Sequence, residues 1–396
     1  PLLQFFVVCF TFQILISITI QRTIVPEHYT LWVVPFLNNL TYWGRVSVNY
    51  TVLDFTNEVT LNAENLNIES FVMRGLAQRQ IPQSEVSTGQ NLTTWFVSAK
   101  QALRGRYNLD ISFNGRINDI TFGKGFYYNT YIDKETESIY AATMSRAWDN
   151  YRTFPCFDEP ALRSPFTVHI ARFLNQSSQS NMPLASTSLP EGSLDGRVWD
   201  TYYDTPYLST HEIHLSVHSL VRVSAARRNY SVLVAGDSVA QAAMAAALLP
   251  TAADLLQTWL LDLPPPLPLP KMDILVFPDI AFETSLSPGI VTCSEDHILF
   301  MEGISNARSE QLVVLTVANT VSYQWLSLHL MPRGWLRDGI ATYLQYKLAS
   351  QLKPSWRFDE LFTLDILHQT FLEELDMPKS VENVSPLLYK KVATTL

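Results

Sequence analysis

Polar and apolar residues alternate in short runs from about Arg22 to Val221. In Arg45–Leu53 the polar Arg45, Ser47, Asn49 and Thr51 alternate with Val46, Val48, Tyr50 and Val52. A period of two puts one set on the wet face of a strand and the other in a core. Tyr29–Val34 and Glu212–Val217 follow the same rule, with Glu212, His214 and Ser216 expected on the solvated face. Asn, Gly and Pro turn signals between such runs predict an all-β domain, a sandwich or saddle-shaped sheet. After Ser231 the period changes. Asp237–Leu249 is Ala-rich and helical, and Pro250 is expected to open a second helix, Thr251–Leu263, at the position where its missing N–H is tolerated. Pro264, Pro265, Pro266, Pro268 and Pro270 then read as a stiff extended connector. A strand at Asp273–Phe277 precedes helical patterns over Ser309–Leu330, Ile340–Leu352 and Asp359–Glu374. The tracts Leu312–Leu315 and Asp365–Phe371 are most simply core, although some of that surface is available to a partner if further domains do not cover it. Two domains are therefore expected: β over residues 22–221, and mostly helical α/β over 222–396.

Residues 1–21 are a different material. Leu2–Ile20 is interrupted by strongly polar residues only at Gln4 and Gln13, and the first charge is Arg22. The segment reads as a signal peptide, or as an uncleaved anchor, since spanning a bilayer takes roughly 20 apolar residues. Either places the body in the secretory lumen, so the expected location is secreted or on the extracellular face of the plasma membrane. Asn-x-Ser/Thr sequons at Asn39, Asn49, Asn91, Asn175, Asn229 and Asn383 agree with that compartment. A net charge of −9 with scattered Lys and Arg argues against nucleic acid and against a polybasic membrane patch. Membrane contact is thus expected only through the N-terminal segment. Cys9 lies in the leader, and Cys156 and Cys293 read as buried free thiols rather than as a bridge between domains.

Several ordered motifs carry a resemblance. Phe154-Pro-Cys-Phe-Asp-Glu-Pro160 resembles the F-P-C-F-D-E-P segment of zinc aminopeptidases related to aminopeptidase N. Thr23-Ile-Val-Pro-Glu-His-Tyr29, Ser180-Asn-Met-Pro183 and Thr205-Pro-Tyr-Leu-Ser-Thr210 are similar to further family elements in the right order. The resemblance implies a saddle-like β-sandwich domain followed by a thermolysin-like domain, here truncated at its C-terminus.

The family chemistry needs H-E-x-x-H on a helix: one turn brings two imidazoles to one zinc, and the Glu is the general base for its water. Val317-Ala-Asn-Thr-Val-Ser-Tyr-Gln-Trp325 resembles that helix, but Asn319 and Tyr323 stand at the His positions and Thr320 at the Glu. An amide oxygen is a poor zinc donor, a phenol of pKa ~10 binds well only once deprotonated, and a hydroxyl is no base near neutral pH. Trp335-Leu-Arg-Asp-Gly339 resembles the segment of the third ligand, with Asp338 for Glu. Fourteen residues separate Tyr323 from Asp338, four fewer than in the family, or about one helical turn. By the same resemblance Leu286 replaces the Glu that binds a substrate's free amine, Met144 replaces a Gln that contacts it, and Tyr389 matches the transition-state Tyr.

His211, His214 and His218 invite a metal reading, but ~3.3 Å per residue along a strand puts His214 and His218 ~13 Å apart. His297 and His329 are the remaining candidates for substitute ligands near Asp338. The expectation is therefore a catalytically inactive aminopeptidase N-like protein that needs no cofactor. It would act by binding a peptide or protein, or by pairing with an active family member. The alternatives are a weak or metal-rewired zinc aminopeptidase that releases N-terminal residues from peptides, and an incomplete gene product with no role of its own.

Overall fold

The computed structural model describes residues 23–75, 83–88, 94–122, 124–133, 135–144, 150–188, 195–227, 229–259, 269–278, 280, 284–329, 335–376, 390 and 393. The apolar leader, Pro264–Pro268 of the connector, Tyr389, and the sequon asparagines Asn91 and Asn383 lie outside the described residues. The chain divides into two units: one runs to Thr130 and resumes over Glu137–Ser219, and the other comprises Tyr131–Thr136 and Leu220 onward.

The first unit is built from strands. In order they are β1 (Ile24–Phe36), β2 (Thr41–Asn62), β3 (Leu66–Gly75), β4 (Gln83–Thr88), β5 (Thr94–Arg116) and β6 (Asn118–Asp119). Then come β7 (Phe126–Asp133), β8 (Thr136–Thr143), β9 (Phe166–Phe173), β10 (Ser177–Ser180), β11 (Leu184–Ser188), β12 (Arg197–Tyr202) and β13 (Leu215–His218). An eight-stranded sheet takes the order β11-β12-β9-β1-β2-β5-β3, with β4 also on β5, and a five-stranded sheet takes the order β10-β13-β8-β7-β6. The alternation in β2 does what the pattern predicts: Val46, Val48, Tyr50 and Val52 are buried while Arg45 and Asn49 are exposed. The sheets meet at aromatic contacts such as Tyr42 edge-on to Phe126, with ring centroids 5.3 Å apart. The F-P-C-F-D-E-P segment is buried over Phe154–Phe157 and bridges to Asn62 at the end of β2 through Cys156.

One expectation fails here. Glu212 and His214, assigned to a wet face, are each 2% exposed, and Ser216 is fully buried. Thr210–Glu212 is a 3-10 turn rather than strand, and β13 is flanked by β10 and β8. Alternation reports a wet face only where the sheet leaves one uncovered. The buried polar groups are partnered instead: the Glu212 carboxylate accepts from Arg163 Nη2 at 3.0 Å and from the Ser209 N–H at 2.9 Å. Asn181 takes the His214 N–H at 2.8 Å and donates to the Glu212 carbonyl at 2.9 Å. His211, His214 and His218 are all buried, and among the described residues no group of three or more His, Cys, Asp or Glu could hold a metal ion.

The second unit opens with β14 (Val221–Ser224) and β15 (Tyr230–Val234), followed by helix α1 (Ala243–Trp259). Strands β16 (Met272–Phe277), β17 (Thr284–Ser287) and β18 (Ile290–Ser294) complete a sheet ordered β14-β15-β16-β18-β17. Helices α2 (Ala307–His329), α3 (Trp335–Leu352), α4 (Phe358–Phe362) and α5 (Gln369–Asp376) follow, the last two joined by a π-helical turn, Thr363–His368. Pro250 does not open a helix but sits inside α1. An interior Pro costs about 3 kcal/mol, and packing on α2, α3 and β15 with Ala245, Ala246, Leu249, Ala252, Ala253 and Leu256 buried offsets it. The stretch Gly236–Trp259 is long and apolar enough to cross a membrane, but its buried face shows that it serves as a packed helix of this unit.

Within Leu312–Leu315 three residues are buried, as expected, whereas Asp365–Phe371 departs from its simplest reading as core. Phe371 is 57% exposed, and the flanking Leu364 and Leu372 are 61% and 50% exposed. Helical spacing gives a helix an apolar face, and only a neighbouring element buries it. Cys156 and Cys293 are both free and buried, and burial pushes both thiols well above their ordinary range.

Candidate degenerate peptidase centre

Helix α2 starts where Asn306 caps it: its side-chain oxygen accepts from the Ser309 N–H at 2.9 Å, a donor the helix itself cannot satisfy. Val313, Val314, Val317, Ala318, Val321 and Leu326 recur at helical spacing and are buried, which fixes the rotation of the helix about its axis. That rotation places Thr320 at 1% exposure and Tyr323 at 6%. The Asn319 side-chain oxygen is buried and meets no donor among the described residues.

Gln324 locks α2 to the sheet. Its Oε1 accepts from the Gly289 N–H at 2.6 Å, and its Nε2 donates to the Ser287 carbonyl at 2.8 Å. Pro288-Gly289 is the two-residue turn joining β17 to β18, and Gly289 holds a φ of +81°, a conformation that glycine adopts without strain. Leu286, one residue before Ser287 on β17, pairs with Val291 and is partly buried. Thus the strand carrying Leu286 is tied by hydrogen bonds to the helix carrying Asn319, Thr320 and Tyr323.

Helix α3 contributes a residue whose role the sequence left unassigned. Arg337 sets its guanidinium over the Tyr323 ring, 4.7 Å from the centroid, and its Nε lies 3.6 Å from Asp338 Oδ1. The Arg337 side chain is 11% exposed and that of Asp338 is 49% exposed. Partial desolvation pushes the Asp338 carboxyl above its ordinary value, and the neighbouring guanidinium opposes that shift. A fixed positive charge therefore lies against both Tyr323 and Asp338. The donor set does not fit a zinc ion: the three positions carry an amide, a phenol and one half-exposed carboxylate, the last two with a guanidinium against them, where zinc sites present imidazoles and anions. The signal in the sequence was an Arg directly before Asp338, visible but without geometry.

Met144 belongs to the first unit, where it is 2% exposed and its N–H donates to the Gly125 carbonyl at 3.3 Å. His297 engages Ser294 at 2.7 Å through Nδ1. The side chain of His329 lies outside the described residues. Among the sequons, Asn39, Asn49, Asn175 and Asn229 are exposed.

Two family models match this chain: the peptidase M1 N-terminal domain over residues 25–211, and the peptidase family M1 domain over residues 252–392. The chain belongs to the M1 peptidase family. It is an aminopeptidase N-like member whose β-rich domain precedes a smaller helical one, consistent with the family architecture. Aminopeptidase N of Oryctolagus cuniculus is 26% identical over 371 residues, covering 88% of this M1 chain and 38% of the relative. Endoplasmic reticulum aminopeptidase 1 of Rattus norvegicus is 28% identical over 361 residues, covering 87% and 38% respectively. Aminopeptidase Ey of Gallus gallus is 27% identical over 409 residues, covering 94% and 41%. This M1 chain therefore spans well under half the length of these relatives.

Proposed function

We propose that this chain is a catalytically inactive aminopeptidase N-like protein that acts by binding a peptide or protein. The observation that carries the reading is the Arg337 guanidinium, 4.7 Å above the Tyr323 ring and beside Asp338. These are two of the three positions that the family resemblance assigns to metal ligands. A unit charge about 5 Å from a dication costs on the order of 7 kcal/mol at an effective dielectric constant of 20. That is roughly five powers of ten in affinity. Thr320 at the general-base position removes a further factor of about 10²–10⁴ in rate. Leu286, at the position that the resemblance gives to the amine-binding Glu, offers an incoming amine no charge. What remains is a packed scaffold, held in register by Gln324, whose use is recognition rather than hydrolysis.

The setting we propose is the secretory pathway or the cell surface, with glycans on exposed sequons. A peptide segment is the first candidate ligand, and an active family member is the second. The test is metal analysis of the purified chain together with hydrolysis of an aminoacyl reporter in added zinc. The expected outcome is sub-stoichiometric zinc and turnover no faster than buffer. Stoichiometric zinc accompanied by turnover would overturn the proposal and favour a rewired peptidase.

A further inference from the structure

The eight-stranded sheet of the first unit carries a groove of about 830 Å³ that the peptidase chemistry does not use. Its volume falls within the ~300–1,000 Å³ typical of ligand clefts. Strands β2, β5 and β3 pair so that Trp43, Asn114 and Asn67 stand in one row across the sheet. The register shifts between Ile68 and Ser70, and the extra residue there, Glu69, also faces the groove. Glu69 accepts from Asn114 Nδ2 at 2.8 Å through one carboxylate oxygen and from Trp43 Nε1 at 3.3 Å through the other. The carboxylate thus orients both an aromatic plane and an amide. Asn65 and Arg116 extend the lining with further planar hydrogen-bonding groups.

We propose that this groove binds a saccharide containing N-acetylhexosamine units. A pyranose ring presents an apolar C–H face and a rim of hydroxyls, and an acetamido group adds one donor and one acceptor. An indole supplies the matching flat apolar surface, and carboxylate, amide and guanidinium groups supply paired donors and acceptors in fixed planes. Phosphate is disfavoured, because Glu69 projects a carboxylate and the Arg152 guanidinium at the groove is already paired with Glu64. An apolar helix is disfavoured by the same density of polar groups.

Two sources can supply the sugar. One is an external glycan. The other is a glycan on the chain's own Asn39, exposed in the β1–β2 turn, whose side-chain oxygen accepts from Thr41 Oγ1 at 2.9 Å. Thr41 itself lines the groove. Two residues of extended chain reach at most about 7 Å, so the innermost sugars of an Asn39 glycan would begin at the groove's edge.

The probe is chitotriose, titrated by calorimetry into the full chain and into an Asn39→Gln variant. The variant is expected to bind saturably, and Trp43→Ala in that background to weaken binding at least tenfold. Asn67→Ala, an exposed truncation that leaves the core untouched, is expected to weaken it several-fold and guards against misfolding of the Trp43 variant. Binding to Asn39→Gln but not to the glycosylated chain identifies the resident glycan as the natural occupant. Equal binding to both identifies an external one. A folded Asn39→Gln chain that shows no saturable binding at millimolar chitotriose overturns the proposal, as does binding unchanged by both groove substitutions.

Discussion

Replacing Gln324 by Leu tests whether α2 is held in register by the two hydrogen bonds of one side chain. Gln324 is 3% exposed, and its partners, the Gly289 N–H and the Ser287 carbonyl, are buried with it. Leucine is slightly shorter and offers neither donor nor acceptor, so the Gly289 N–H loses its side-chain acceptor and the Ser287 carbonyl keeps only its pairing across the β17–β18 turn. Each buried, unsatisfied group costs about 1–3 kcal/mol. The orphaned N–H and the weakened carbonyl contact, worth about 1 kcal/mol, together cost about 2–4 kcal/mol, reduced by roughly 1 kcal/mol for the apolar surface that Leu buries. Because the chain has two units, a global denaturation midpoint mixes their responses. Hydrogen exchange at the Gly289 amide reports the second unit directly, and its protection should fall by at least tenfold in the variant. An unchanged Gly289 exchange rate, together with a urea midpoint shifted by less than the equivalent of about 0.5 kcal/mol, would refute the reasoning, since a surface substitution has effects of that size.

Restoring the family ligands with Asn319→His, Thr320→Glu, Tyr323→His and Asp338→Glu should still give a chain that takes up less than stoichiometric zinc. Adding Arg337→Asn should then raise zinc affinity at least a hundredfold by chelator competition; full zinc loading of the first variant would remove Arg337 from the argument. The buried cluster at β16 makes a pH prediction. Burial opposes the Asp273 charge, but Lys271 Nζ at 2.7 Å, Arg222 Nη1 at 2.9 Å and the Ser231 hydroxyl together hold its carboxyl below the ordinary range. With the folded value below the unfolded ~3.9, Asp273 stabilises the fold above about pH 4, and that contribution is lost as pH falls through the folded value. Asp273→Asn should flatten circular-dichroism acid titrations below pH 4 and cost about 3–5 kcal/mol at pH 7 by leaving the Lys271 ammonium unpaired. In the first unit, a Cβ at Gly115 would meet the Tyr42 hydroxyl at 2.6 Å, and one at Gly44 would strike the Phe113 ring. Gly115→Ala and Gly44→Ala should each cost about 1–3 kcal/mol, read as a lower thermal midpoint.

Much of the fold is legible because short-range patterning reports it. Alternation in Arg45–Leu53 identifies β2 and puts Asn49 on its exposed face, and the apolar spacing over Ser309–Leu330 finds α2 to within two residues at its N-terminus and one at its C-terminus. Two misreadings share a cause. Pro250 looks like a helix start because the intrinsic cost of interior Pro is high, and only packing against α2, α3 and β15 outweighs it. His214 and Ser216 look wet because alternation says which residues share a face, not whether another layer covers it.

The same division runs through the candidate centre. The identities of Asn319, Thr320 and Tyr323, one helical turn from first to last, follow from the sequence alone, because spacing on a helix is a local property. So does the family, because its ordered motifs are strings. The position of the Arg337 guanidinium over Tyr323, the two-point grip of Gln324 on the β17–β18 turn, and the row of Trp43, Asn114 and Asn67 do not follow from the sequence. They join residues on different elements, separated by fourteen, thirty-five and seventy-one positions. Whether such groups meet depends on strand register, helix rotation and the length of intervening loops. These are fixed only when the whole core packs, because no local interaction is strong enough to choose among the alternatives.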